Sequence, residues 1–257
     1  MASQPAHDLT GDSTWSVAEL TRRLALAREP SPEDARAPRL LLLLAEMGWM
    51  FTPLRRMFRP FEVAKSANPQ LVMLLPGFGA HPSRMRYMAC KLEQAGHVAK
   101  RWGLGFNLGA SKDKVERIER RVERIHAQTG RKLVLVGWSV GGLFARELAH
   151  RHPDKIAKVI TMGSPFSGNP RSNNGWRLYQ AVAGHRVCEP PTECDLREKP
   201  PVETVALWSP RDGVVHPRSA CGRTGERDRS VGLRCNHMGF VYSKEAIATV
   251  LRELEDI

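Results

Sequence analysis

Short, largely apolar runs alternate along this chain with longer stretches that have a helical period. The runs of strand length cover residues 71–75, 97–102, 132–137, 155–163, 202–208 and 230–235. The clearest helical face has apolar residues three or four positions apart, at Val115, Ile118, Val122 and Ile125. Apolar strands that are separated by helices predict an α/β fold with a mostly parallel sheet of about six strands and helices on both faces.

The N-terminal part of the chain follows a different pattern. Its first dozen residues are polar, and we expect them to be disordered. Ser16 and Glu19 have the spacing of a capping box, which predicts a helix through about Arg28. A second helix is predicted across about 39–50, after a proline-rich joint. We interpret residues 1–62 as a helical N-terminal extension rather than a separate domain.

The remainder, residues 63–257, is predicted to form the α/β domain. Within it, residues 164–201 have little strand character and separate two predicted strands. This segment is too short for a large cap but long enough for one or two helices, one of them around Trp176. We therefore expect a small lid insertion there.

The composition is that of a soluble globular protein, but the net charge of +12 is unusual. A positive charge of this size favours binding to nucleic acid, to an anionic membrane surface or to an acidic substrate. The basic residues are scattered among glutamates and no nucleic-acid motif accompanies them, which favours a solvated basic surface and no nucleic-acid partner.

The most apolar stretch covers residues 40–51 and is too short to span a bilayer. Glu46 interrupts it, and Arg55, Arg56 and Arg59 follow. A helix packed on the core is the favoured interpretation. Peripheral contact with an anionic membrane surface through this segment is the alternative.

The five cysteines do not decide the compartment. Cys188 with Cys194, and Cys221 with Cys235, are spaced so that two small loops can be closed by disulfides, which leaves Cys90 over. The N-terminus has no basic start followed by an apolar core, so we expect no signal peptide, a cytoplasmic location and reduced thiols.

A serine lies at the end of the third predicted strand, in the sequence GWSVG at residues 137–141. A G-x-S-x-G pattern between a strand and a helix is typical of a strained turn that exposes a nucleophilic hydroxyl, here that of Ser139. The glycines allow the helix to pack closely against the strand. An idle serine in a tight turn is the competing interpretation.

A serine nucleophile needs a base, and the base needs an orienting acid. His237 follows the last predicted strand, whereas the other eight histidines have ordinary positions in loops, in helices or, for His97, at the start of a strand. Asp212 follows the fifth strand, although Asp-Gly is also a common turn pair. The chain order Ser139, Asp212, His237 and their positions at three strand ends predict a catalytic triad.

The same sheet edge supplies candidates for an oxyanion hole and a substrate pocket. The backbone N–H groups of Val140, directly after the serine, and of Phe78, in the loop after the first strand, are the predicted oxyanion donors. The aromatic side chains of Phe78, Trp138, Phe166 and Trp176 are candidates for an apolar pocket.

The chain resembles a bacterial esterase/lipase branch of the α/β-hydrolase superfamily. The resemblance covers about residues 70–256 and rests on LLPGFGAHPS, RWGLGFNLG, LVLVGWSVGGLFARELA, VITMGSPFSG, LWSPRDGVV and CNHMGF. It implies Ser139 as nucleophile, His237 as general base, Asp212 as orienting acid, and acyl-enzyme chemistry on small-molecule or lipid esters without cofactor or metal. One departure is Pro76 before Gly77, where many members have His-Gly.

Two other functions remain open at the level of sequence. An acyltransferase or thioesterase acting on an anionic acyl donor would use the same triad. A non-catalytic binding protein on the same scaffold would be expected to lack a member of the triad, and none is missing.

Overall fold

The computed structural model describes residues 16–48 and 61–257. The predicted disorder of the first dozen residues, the predicted end of the second helix near residue 50 and the arginine cluster after it lie outside the described residues. The predicted boundary at residues 62 and 63 stays a prediction.

Six strands form one parallel sheet in the order β2-β1-β3-β4-β5-β6. They are β1 (Leu71–Leu75), β2 (Val98–Arg101), β3 (Leu133–Trp138), β4 (Ile156–Met162), β5 (Glu203–Trp208) and β6 (Arg229–Gly232). The α/β class, the strand number and the parallel arrangement predicted from the sequence are confirmed. The sheet order places β3, with the serine after it, near the centre.

Eight α-helices are present in the described residues. They are α1 (Val17–Ala27), α2 (Leu40–Glu46), α3 (Arg86–Gln94), α4 (Lys112–Thr129), α5 (Val140–Arg151), α6 (Trp176–Ala183), α7 (Pro217–Cys221) and α8 (Lys244–Glu255). Short 3-10 helices cover Pro82–Met85 and Met238–Val241. Side-chain caps at Ser16, Ser111 and Ser243 fix the starts of α1, α4 and α8.

Side chains of the buried strands alternate between two apolar cores, one on each face of the sheet. On β1, Val72 and Leu74 enter the core that α3 and α8 cover. Leu71, Met73 and Leu75 enter the opposite core, which α4 and α5 cover. The amphipathic face predicted at residues 115–125 is buried in this second core, so hydrophobic burial on both faces holds the sheet in place.

The edge strands are shorter than the apolar runs that predict them. The sixth run was expected to continue to residue 235, but β6 ends at Gly232. Leu233 still donates its N–H to Trp208 O, and both Leu233 and Cys235 are buried after the pairing has ended. Apolar character therefore persists past the strand because the chain turns inward towards the core.

The helix α1 lies against α6, the helix of the predicted lid segment. Gln180 donates from its Nε2 to Leu26 O, and Arg23 donates to the carbonyl oxygens of Ala181 and Val182. The described N-terminal segment therefore packs on α6.

All five cysteines are free thiols in this structure. Across residues 16–48 and 61–257, no helix has the length and apolar character needed to cross a membrane.

Candidate active site

Ser139 lies between β3 and α5 in a strained backbone conformation. Its φ of 54° and ψ of −125° make it the one non-glycine residue with positive φ in the described part of the chain. Such strain persists only where the surrounding structure enforces it, and it is typical of functional sites. Ser139 N–H donates to Met162 O on the neighbouring strand, and Ser139 O accepts from Gly142 N–H. These bonds hold the turn on both sides.

The glycines around Ser139 are required by close backbone packing. A Cβ on Gly137 would lie 2.4 Å from Gly142 Cα, and a Cβ on Gly141 would lie 2.2 Å from Leu75 O. A side chain at either position would therefore push α5 away from the sheet. This is the physical reason for the glycine spacing in the sequence.

Asp212 and His237 form a buried pair at the same edge of the sheet. His237 Nδ1 lies 2.8 Å from Asp212 Oδ2, and both side chains are almost completely buried. The other carboxylate oxygen, Oδ1, accepts from the N–H groups of Val214 and Val215, each at 2.8 Å. Because an ionised carboxylate can only accept, Nδ1 donates in this pair, and Nε2 is left to accept a proton.

The environment of His237 acts on its protonation in two directions. Burial lowers the pKa of the imidazole, while the charge of Asp212, its hydrogen bond and the charge of Glu46 raise it. The attractions outweigh burial, so the pKa of His237 is raised above its ordinary value. The imidazolium is therefore stabilised where it would form during proton transfer.

A cavity of about 600 Å³ opens at this edge, and both Ser139 and His237 line it. Asp212 lies behind His237 and is not part of the wall. The four predicted pocket aromatics, Phe78, Trp138, Phe166 and Trp176, all line the cavity. The structure thus brings together every side chain that the sequence proposed for the site.

Trp138 also supports the histidine loop. Its indole Nε1 donates to His237 O at 3.1 Å, and the two ring centroids are 5.6 Å apart. Phe240 contacts the imidazole from another side, with centroids 6.2 Å apart. The two rings fix the position of His237 by packing and by one hydrogen bond. Both are uncharged.

Phe78, in the loop after β1, and Val140, the first residue of α5, both line the cavity. Within the described residues, neither of their backbone N–H groups has a hydrogen-bond acceptor. The Phe78 loop lies very close to the serine, since a Cβ on Gly77 would be 3.1 Å from Ser139 Cβ.

Asn107 fixes this loop, and sequence reasoning did not assign it a role. Its side chain is fully buried and donates from Nδ2 to Pro76 O at 2.8 Å, while its backbone O accepts from Gly79 N–H at 2.7 Å. In the sequence, Asn107 lies in GFNLG, after an edge strand and between glycines. This position could have indicated its role.

Tyr179 joins α6 to the Phe78 loop. Its ring centroid is 5.1 Å from that of Phe78, and its hydroxyl accepts from Ala110 N–H at 2.9 Å. Burial raises the pKa of Tyr179 to about 12, against the smaller opposite effect of the Ala110 bond. The hydroxyl therefore stays protonated and neutral around pH 7.

Glu46 is a second residue that sequence reasoning did not assign to the site. Its buried carboxylate, at the end of α2, accepts from the backbone N–H groups of Gly213, His237 and Met238. In the sequence, Glu46 is a charged residue inside an otherwise apolar helical run. Because a buried charge needs polar partners, this position could have indicated that Glu46 binds polar groups elsewhere in the chain.

Comparison with known proteins places part of this chain in a family. Residues 71–185 match the family model described as alpha/beta hydrolase fold. The biotin biosynthesis bifunctional protein BioHC of Teredinibacter turnerae is 29% identical over 123 residues, 44% of this chain and 21% of that protein. The pimeloyl-[acyl-carrier protein] methyl ester esterase of Aromatoleum aromaticum is 52% identical over 31 residues, 12% of each chain. The matches thus span a minor part of both relatives.

Solved structures show the same fold at low sequence identity. The mature form of the Bacillus licheniformis lipase BlEst2 aligns with a TM-score of 0.55 at 18% identity, over 76% of this chain and 95% of the lipase chain. The sheet order, the strand–serine–helix turn and the family match agree with one another. The chain therefore has the α/β-hydrolase fold that its sequence motifs predict, and residues 71–185 match the family model of that fold.

Proposed function

We propose that this protein is a serine hydrolase that cleaves carboxylic esters through an acyl-enzyme intermediate. The observation that carries the proposal is the joint presence, on one cavity, of the strained Ser139 and of a His237 ring bonded to buried Asp212. This arrangement has the parts that general-base activation of a serine requires.

In the proposed acylation step, His237 Nε2 takes the proton of the Ser139 hydroxyl as Oγ attacks the ester carbonyl carbon. Asp212 holds the Nδ1–H tautomer and stabilises the imidazolium that forms. The tetrahedral intermediate then collapses, the alcohol leaves with the proton from His237, and the acyl group remains on Ser139. A water molecule that gives its proton to His237 then attacks the acyl carbon. The bond to Ser139 Oγ breaks, Oγ takes the proton back from His237, and the carboxylic acid is released.

The negative charge of the intermediate would be bound by the N–H groups of Phe78 and Val140. Both groups lack another acceptor among the described residues, and Asn107 fixes the loop that carries the first. Removal of one such donor costs about 3 kcal/mol of transition-state stabilisation in comparable enzymes. A substitution other than proline leaves the backbone N–H in place, but the loop that carries the Phe78 donor can be displaced through Asn107.

The cavity walls support an apolar acyl or alcohol group as the part of the substrate that is bound. Phe78, Trp138, Phe166, Trp176 and Tyr179 present ring surface to the cavity. Apolar walls favour binding through burial of hydrocarbon at about 25 cal/mol per Å². We therefore expect small-molecule or lipid esters as substrates.

The test is turnover of p-nitrophenyl esters from acetate to palmitate, with Ser139→Ala as the inactive variant. The matched control is Ser219→Ala, because Ser219 is buried on α7 but does not line the cavity. We expect Ser139→Ala to lower kcat by at least about 10⁴-fold while Ser219→Ala stays within about twofold of the wild type. Equal turnover by Ser139→Ala and the wild type would refute Ser139 as nucleophile.

A second candidate is acyl transfer or thioester hydrolysis with an anionic acyl donor. The net charge of +12 favours an anionic acyl donor. Labelling of Ser139 by a fluorophosphonate probe without turnover of any p-nitrophenyl ester would favour it over the first. Absence of both labelling and turnover would favour a binding scaffold.

A further inference from the structure

The carboxylate of Glu46 joins two loops that are far apart in the chain. Oε1 accepts from Gly213 N–H at 2.9 Å and from His237 N–H at 2.7 Å, and Oε2 accepts from Met238 N–H at 3.0 Å. Gly213 directly follows Asp212, and Met238 directly follows His237. One side chain therefore binds the backbone beside both members of the buried pair.

The backbone of α2 packs against the same loop independently of these hydrogen bonds. A Cβ on Gly213 would lie 2.3 Å from Leu42 O and 2.6 Å from Leu43 N. The close approach of α2 at Gly213 thus places the Glu46 carboxylate at the base of the two loops. Glu46 itself is 5% exposed, so water cannot replace it as the acceptor without entering a closed space.

We propose that Glu46 is a positioning residue for the triad: its carboxylate fixes the loop of Asp212 relative to the loop of His237. The inference rests on the proposed function and adds to it a residue from outside residues 71–185, the range that matches the family model. Charge-assisted hydrogen bonds from three backbone donors compensate the buried charge of Glu46. They also hold the Asp212 loop and the His237 loop at a fixed distance from each other.

Glu46 also acts on the imidazole through its charge. Among the described residues, the charged groups that act on His237 are the carboxylates of Asp212 and Glu46. The other groups packed on the ring, Trp138 and Phe240, are neutral. Removal of the Glu46 charge is therefore expected to lower the pKa of His237.

The experiment compares Glu46→Gln with Glu253→Gln. The glutamine keeps the shape of Glu46 but loses the charge and one of the acceptor oxygens. Glu253 is the matched control because it is also buried and ionised, paired with Lys158 at 3.5 Å and with Arg229, but outside the cavity. Both variants lose a buried charge, so thermal unfolding shows the structural cost that they share.

For Glu46→Gln we expect kcat for a p-nitrophenyl ester to fall by about 10- to 100-fold with little change in KM. The acid limb of the pH profile should move to lower pH, and titration of His237 by NMR in the Ser139→Ala background should show the same shift. Glu253→Gln should leave kcat, the profile and the titration unchanged. Unchanged kcat and titration in Glu46→Gln, or equal losses in both variants, would overturn the proposal.

The two proposals can fail separately. A wild type without Ser139-dependent turnover refutes the ester hydrolase, whereas the His237 titration reports the contact of Glu46 without any turnover.

If Glu46→Gln does not fold, Glu46→Asp replaces it. The aspartate keeps the charge but is one methylene shorter, so it should lower kcat without shifting the titration of His237 to lower pH. Wild-type kcat in Glu46→Asp would contradict a role in positioning.

Discussion

His237 has to be uncharged to take a proton from Ser139, so its raised pKa sets the pH range of the proposed activity. Because the folded protein holds the imidazolium more tightly than water does, protonation persists to a higher pH. We therefore expect kcat/KM to rise with pH through an apparent pKa above the ordinary histidine value of 6.5. A pH profile of p-nitrophenyl ester turnover measures this pKa.

The variant Asp212→Asn is the partner experiment. The amide can no longer attract the imidazolium or enforce the Nδ1–H tautomer, so kcat should fall by about 10³- to 10⁴-fold. Any remaining acid limb should move to lower pH, because the largest stabilising charge is gone. A flat profile in the wild type, or an unshifted limb in Asp212→Asn, would count against His237 as the base.

The residues of the site differ in how readily the sequence predicts their roles. Ser139, Asp212 and His237 each follow a predicted strand within a few residues, so the topology alone predicts that they meet. Glu46 accepts from partners 167, 191 and 192 positions away, on loops that no local pattern connects to it. The sequence shows only that a carboxylate interrupts an apolar run, and its partners require the tertiary structure.

At the scale of elements, the turn between β3 and α5 depends on contact between backbones. A Cβ on Gly141 would lie 2.2 Å from Leu75 O, which belongs to the neighbouring strand β1 and cannot rotate away. We expect Gly141→Ala to lower the free energy of unfolding by about 3 kcal/mol or more, because α5 has to move off the sheet. Urea denaturation measures the change.

The control for this prediction is Gly105→Ala. Gly105 is exposed, and a Cβ added there would have no heavy atom within 4 Å, so the same methyl group should change stability by less than about 0.5 kcal/mol. Equal effects of the two substitutions would show that packing at the turn is not the constraint on Gly141.

The existence of the elements could be predicted from the sequence better than their ends. Apolar runs locate the strands because the sheet is buried on both faces. The ends depend on which backbone groups find partners, as at β6, where Leu233 is still buried after the ladder has ended. The sequence predicts a helix around Trp176 and α6 begins there, whereas its packing against α1 has no local signal.

At the scale of the whole molecule, the described N-terminal segment, residues 16–48, connects α6 to the loops of Asp212 and His237. At one end α1 packs on α6, and at the other Glu46 binds the loops of Asp212 and His237. Between them Glu29 forms ion pairs with Arg171 and with Arg186, the latter at 2.7 Å. The hydrogen bond from Arg186 is the largest cause that holds the pKa of Glu29 below its ordinary value.

Glu29 therefore pairs residues 16–48 with arginines on both sides of α6. Glu29→Gln removes the charge from both pairs, and the pair with Arg186 is screened because that side chain is half exposed. Trypsin should therefore cut the segment about two- to fivefold faster in Glu29→Gln than in the wild type. Glu33→Gln is the matched control, because Glu33 is exposed in the same segment and has no ion pair among the described residues. Equal cleavage rates for the two variants would mean that the other contacts between α1 and α6, rather than the ion pairs, hold the segment in place.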